Sequence, residues 1–308
     1  AFTIADIPRD TYAKPGATPS PFRGRSERYE YQGDYQPIEQ VRIVAGVEHE
    51  DSRYRDSSLR RSVGITSVYG EAIVKPFDAL TLTGGVRNDD HETFGNHTTF
   101  GADAALALRT GTTLRASYGE GFKAPTLQQL YGTFGGNANL KPETSTNYEL
   151  AAYYEGQRWG FNVTGFINKF EDKIASGGTF PNCEVAPAGS GYCVDIGPGW
   201  AALGYSTFTQ SVNIEKAETR GAELAGHVDL LDNLQLRGNY TWTKSEQTSG
   251  PQKGLPITGT TPAKHMANAS LNWQINEAVS LSLIGEGRYD RYRDTLLDAN
   301  GVSQTRYY

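Results

Sequence analysis

Apolar and polar residues alternate with period two along most of the chain, the pattern of strands with one apolar face. In "TLRASYGEGF", Leu114, Ala116 and Tyr118 alternate with Arg115, Ser117 and Gly119. "LTLTGGVR" sets Leu80, Leu82 and Val86 against Thr81, Thr83 and Arg87. In "GAELAGHVDL", Ala222, Leu224, Val228 and Leu230 share one face, and Glu223, His227 and Asp229 the other. "ANASLNWQI" repeats the pattern from Ala267 to Ile275, whereas "VGITSVYGEAIV" shows no clear phase.

The connections between these runs have two lengths. Short ones fall near Pro37–Glu39, Lys75–Asp78, Thr110–Thr112, Gly156–Arg158, Leu231–Asn233 and Ile275–Glu277. Between them lie "HEDSRYRDSSLRR", "NDDHETFGNHT", the Gly- and Pro-rich stretch between Gly119 and Leu150, a cysteine-bearing loop, and "SEQTSGPQKGLPITGTTPAKH". Strict alternation of short and long turns predicts an all-β chain. Its fold class is an antiparallel transmembrane β-barrel meander, with tight periplasmic turns and long outer ones. Six tight turns predict about twelve strands. A secreted β-sandwich also has alternating strands, but its loops do not sort by length in this way. Tyr153, Tyr154, Trp159, Phe161, Trp242 and Trp273 cluster near strand ends, as interfacial aromatic girdles do.

Composition narrows the picture. The 308 residues include 35 Gly and 18 Tyr but a single Met, which suits many strands joined by turns. No apolar run approaches the roughly 20 residues of a membrane-spanning helix, which leaves strand-based spanning open. A net charge of −6 gives no basic stripe for nucleic acid. Cys183 and Cys193 share the loop "NCEVAPAGSGYC" with no His nearby, which argues against a metal site; the expected chemistry is a disulfide in an oxidising compartment, with free thiols as the alternative. The chain begins at Ala1 without an initiator Met or signal peptide, and is expected to be a piece of something longer.

Particular segments then give the class a family. "GFKAPTLQQLYG" followed by "GNANLKPETSTNYEL" resembles the long surface loop of TonB-dependent outer-membrane receptors and transporters of the siderophore and cobalamin type. "GGVRNDDHETFGNHTTFGADAALAL" is similar to the family's strand, Asp-rich loop and returning strand, and "GFNVTGFINKFEDKI" to its next hairpin arm. "NIEKAETRGAELAGHVDL" and "LRGNYTWTKSE" match in the same order, and the resemblance covers most of the chain after about residue 25. It implies a barrel of the twenty-two-stranded type filled by an N-terminal plug that contacts TonB. Neither the plug nor the closing strands is found here, so residues 1–308 are expected to form one partial barrel domain. Pro125 and Pro142 are expected to keep the long loop free of helix.

No catalytic constellation stands out, the expectation is not an enzyme, and no cofactor is implied. The basic run Arg53, Arg55, Arg60 and Arg61 suits a ferric tris-catecholate, an anion carrying aromatic rings; the alternative is contact with anionic lipopolysaccharide. Tyr131 and Phe134 in the first long loop, with Tyr192, Trp200 and Tyr205 around the second, are candidate aromatic ligand contacts. Asp89, Asp90 and Glu92, with His91 and His97, offer a weak calcium candidate against the alternative of a solvated acidic loop. Arg115, Glu223, Asp229 and Arg237 are read as inward-facing polar wall, and His49, His227 and His265 as wall residues along strands.

The function the resemblance implies is import of a ferric siderophore across the bacterial outer membrane, driven through the TonB–ExbB–ExbD complex by way of the plug. The run "NLKPETSTNYE" leans toward receptors of the ferric-enterobactin kind, while "FKAPTLQQLYGTFG" is also close to cobalamin receptors. A small passive outer-membrane channel is the reading from a different class.

Overall fold

The computed structural model describes residues 1–11, 20–56, 59–109, 111–132, 136–186, 193–194, 198–250, 253–257, 263–297 and 303–307. The strands are β1 (Phe2–Thr11), β2 (Ser20–Ile38), β3 (Val41–Arg55), β4 (Arg60–Phe77) and β5 (Leu80–His91). They continue as β6 (Gly95–Ala107), β7 (Thr112–Lys123), β8 (Glu143–Glu155), β9 (Trp159–Pro181) and β10 (Thr207–Leu231). The last are β11 (Leu234–Gln247), β12 (His265–Gln274), β13 (Ser280–Tyr289), β14 (Tyr292–Leu297) and β15 (Ser303–Tyr307). Strands β1 to β13 pair antiparallel in chain order as one thirteen-stranded sheet, while β14 and β15 form a separate hairpin. One short helix, α1 (Leu127–Tyr131), interrupts the meander. Among the described residues no helix is long and apolar enough to cross a membrane.

The tight turns occupy 39–40, 78–79, 108–111, 156–158, 232–233 and 275–279, and they join the twelve strands β2 to β13. β1 adds a thirteenth strand to the sheet beyond those twelve. At the other end, 124–142, 182–206 and 248–264 are long. Two connections there are not: β3 and β4 are joined across 56–59, and β5 and β6 across 92–94. The acidic and basic stretches that read as loops are instead strand, paired to the tip as Arg55 opposite Arg60 and His91 opposite Gly95. Strand ends standing in water need no apolar face, so period-two hydrophobicity vanishes there while the ladder continues.

Register resolves the two faces. Val41, Ile43, Ala45 and Val47 of β3 stand opposite Val74, Ala72, Gly70 and Val68 of β4. That row continues outward through Val86 and Phe100, and Leu150 and Leu224 on later strands are 66% and 50% exposed. So broad an apolar outer face would be a liability in water and is the natural surface in lipid. Near the tight turns Tyr154, Trp159 and Phe161 pack on one another, with centroids 4.4 Å apart for Tyr154–Trp159. Toward the long-turn end Tyr118 packs on Tyr148, and Tyr240 and Tyr289 flank His265. These are the two girdles. Tyr153 departs from the expectation: paired with Thr113 and Asn162, it lies on the opposite, inward face. His49 and His265, opposite Val-row residue Thr66 and Trp242 respectively, lie on the outward face, and His227 on the inward one.

The inward face is polar and cross-linked. Arg87 of β5 reaches Glu48 of β3 at 3.1 Å and Asp89 at 2.7 Å, and Ser67 of β4 donates to Asp89 at 2.6 Å. Arg28 of β2 also pairs with Glu48. Glu48, Ser67 and Asp89 are all buried. Arg115 bonds Asp103 at 2.7 Å across β6 and β7.

Candidate ligand-capture site

The long-turn end gathers three elements around the inner mouth of the wall. The first is the 124–142 connection. Contrary to the sequence expectation, it carries a helix between its two prolines. Thr126 Oγ1 accepts from the Gln129 N–H at 3.2 Å, and Gln129 Oε1 accepts from the Thr126 N–H at 2.9 Å, a reciprocal capping box. Pro125 lies before the cap, where its missing N–H costs the helix nothing. Leu130 of α1 is buried against Leu140 and Ile174, with Phe94 and Tyr131 packed beside them. Side chains from β10 pin the rest of the connection. Gln210 donates to the Gly136 carbonyl at 2.8 Å, and Asn213 accepts from the Lys141 N–H at 2.9 Å while donating to the Lys141 carbonyl at 3.0 Å.

The second element is the β3–β4 hairpin. Asp56 holds its tip by accepting from the Leu59 N–H at 2.8 Å and from the Tyr54 hydroxyl at 2.9 Å. Register splits the basic run that sequence grouped together. Arg61 pairs with Tyr54 on the inward face, whereas Arg53, Arg55 and Arg60 stand on the outward one. Arg61 therefore meets α1, its guanidinium 5.4 Å from the Tyr131 ring centroid. The other three face away from the lumen, because side chains alternate along a strand. They are strand residues, not loop residues.

The third element is the 182–206 connection. The structure joins Cys183 and Cys193 by a disulfide with Cα atoms 5.0 Å apart. Fully buried Asn182 organises the base: its amide donates to the Tyr205 carbonyl at 2.9 Å, and its oxygen accepts from the Glu184 N–H at 3.0 Å. Glu184 then accepts from the N–H groups of Gly199 at 2.6 Å and Ala201 at 2.8 Å. The Ala201 and Gly199 N–H groups hold the Glu184 carboxyl below the usual carboxylate range. Gly199 and Gly204 have φ of +95° and +90°, backbone that residues with a Cβ rarely adopt. The chain so folded stacks Tyr205 on Phe208 and sets Trp200 edge-on to both, with Tyr205 half exposed. Phe134 and Tyr192 lie outside the described residues.

The acidic candidates do not converge. Asp89 and Asp90 are neighbours on β5 and point to opposite faces, Asp89 being taken up by Ser67 and Arg87. Glu92 accepts from the Gly64 N–H at 2.9 Å, and His91 Nδ1 from the Thr93 N–H at 3.1 Å. No group of three potential metal-ligating side chains occurs among the described residues. The sequence reading passed over Asn182, Glu184, Gln210 and Asn213, which shape the mouth. An Asn directly before Cys183 was the available sign, since Asn favours such local turns.

A meandering sheet with an apolar outer face, two aromatic girdles and a polar inner face defines the wall of an outer-membrane β-barrel. The family model for the TonB dependent receptor-like β-barrel matches residues 7–308, and the chain belongs to that family. It is 32% identical over 214 residues to the iron-regulated outer membrane virulence protein of Vibrio cholerae, across 66% of this chain and 30% of that protein. To the vitamin B12 transporter BtuB of Photobacterium profundum it is 29% identical over 201 residues, 63% of this chain and 29% of that protein. Its fold superposes on the crystal structure of the siderophore receptor PirA from Acinetobacter baumannii with a TM-score of 0.70 at 18% identity, covering 99% of this chain and 48% of that one. The chain spans about 30% of the length of the curated relatives it matches. Its location is the Gram-negative outer membrane.

Proposed function

We propose that this chain forms part of the wall of an active importer that captures a ferric siderophore at its outer mouth. The observation that carries the reading is the inward-facing Arg61 over the Tyr131 ring, on a helix whose connection is pinned to β10. A fixed cation beside an aromatic ring complements an anionic, ring-bearing ferric catecholate. Trp200 and Tyr205, held in place from Asn182 and Glu184, supply a second aromatic surface at the same end. Rigid walls carrying shaped recognition segments are the usual arrangement for such capture.

In this reading the wall works with a plug domain, and energy reaches the plug through the TonB–ExbB–ExbD complex. No covalent chemistry is required, since binding, closure and release are conformational steps. Cobalamin is the second reading, favoured by the similarity to the vitamin B12 transporter. Titration of the purified full-length protein with ferric enterobactin and with cyanocobalamin separates the two. The siderophore reading expects saturable binding of the ferric catecholate, weakened in Arg61→Gln; tight binding of cyanocobalamin alone would replace it.

A further inference from the structure

On the outward face above the apolar band, cross-strand pairing sets arginine against arginine. Arg25 stands opposite Arg53, Arg23 opposite Arg55, and Arg55 opposite Arg60. Like charges directly opposite on one face destabilise a sheet. Acidic neighbours offset only part of this. Asp6 pairs with Arg23, Glu27 takes Arg25 and Arg53, and Asp51 stands in the Glu27 row. Asp90 lies lower, opposite Thr66, and Glu92 is occupied by the Gly64 N–H. Among the described residues Arg55 and Arg60 have no ion-pair partner, and both are exposed.

The height of this patch identifies its partner. Phe2 stacks on Tyr29 at 4.9 Å in the row of His49, and Tyr31, Val47 and Val68 form the next row toward the membrane. Arg53 and Arg55 follow His49 by four and six residues on β3. At about 3.3 Å per residue, with a strand tilt near 40°, they stand about 10–15 Å above the aromatic row. An ordinary phospholipid headgroup layer is about 5–7 Å deep on each side. The arginines therefore reach past it, into the sugar layer of an outer-leaflet glycolipid.

We propose that Arg23, Arg25, Arg53, Arg55 and Arg60 form a docking surface for the anionic core sugars of lipopolysaccharide, whose phosphates and carboxylates neutralise the unpaired Arg55 and Arg60 and the excess positive charge around them. Planar guanidiniums suit bidentate contact with either group. The site is separate from cargo capture, because it lies on the opposite face of the wall from Arg61.

The test uses full-length protein in mild detergent, stripped of lipid and reloaded with purified lipopolysaccharide, with retained glycolipid quantified by mass spectrometry. Arg55→Gln/Arg60→Gln is expected to retain lipopolysaccharide roughly tenfold more weakly, the loss of two charge-assisted contacts. Arg61→Gln is expected to match the wild type, and heat-modifiable gel mobility confirms that both variants are folded. In a parallel arm, vesicles of phosphatidylethanolamine and phosphatidylglycerol are expected to bind all three proteins alike. Unchanged lipopolysaccharide retention in the double variant would overturn the proposal. So would an equal arginine dependence with phosphatidylglycerol.

Discussion

Arg61 of β4 and Tyr131 of α1 are seventy residues apart in sequence, yet the guanidinium lies 5.4 Å from the ring centroid. This contact ties the β3–β4 hairpin to the 124–142 connection and holds the inward-facing guanidinium at the mouth. A double-mutant cycle over Arg61→Gln and Tyr131→Leu, read as unfolding free energy of the full-length protein, is expected to give a coupling of about 0.5–1 kcal/mol. A coupling indistinguishable from zero would mean that the two elements are held independently.

The helix end is a tight point of the same connection. A Cβ on Gly132 would come 2.7 Å from the Gln128 carbonyl oxygen, which is backbone and cannot swing away. Gly132→Ala is expected to loosen α1 by about 1–3 kcal/mol, as overpacking does. Faster amide exchange at Leu130 and Gly132, with the wall strands unchanged, is the expected readout.

The buried inward network makes a larger demand. Arg87→Met leaves Glu48 and Asp89 without the guanidinium that bridges them. Removing one partner of a buried charge cluster costs about 3 kcal/mol or more. The urea midpoint for unfolding in detergent should fall clearly, whereas Arg53→Gln on the exposed outward face should move it little.

Glu184 makes the second long connection pH-sensitive. Its folded pKa lies below the ordinary value because the Ala201 and Gly199 N–H groups favour the carboxylate. The stabilisation is therefore fully present above the unfolded pKa and is lost as pH falls through the folded one. Exchange at the Gly199 and Ala201 amides should accelerate as pH drops below the ordinary glutamate range, after correction for intrinsic rates. Glu184→Gln should already exchange fast at neutral pH and respond little to acid.

Sequence periodicity located all the tight turns because lipid demands an unbroken apolar face between them, as in Leu114, Ala116 and Tyr118. Beyond the membrane that demand ends, so the paired ends of β3, β4, β5 and β6 looked like loops. The same blindness grouped four arginines as one site, since only register shows that Arg61 alone points inward. Helix α1 was hidden by its prolines, although Thr126 and Gln129 spell a capping box at the right spacing. Contacts such as Gln210 to Gly136 join residues more than seventy positions apart and leave no local trace.

The central claim is energised import. Uptake of radiolabelled ferric siderophore and cobalamin by cells carrying the full-length protein, with and without proton motive force, tests it most directly. The account predicts saturable accumulation of the ferric siderophore that collapses when the proton motive force is removed. Unsaturable passage that persists without it would contradict the account and leave a passive channel.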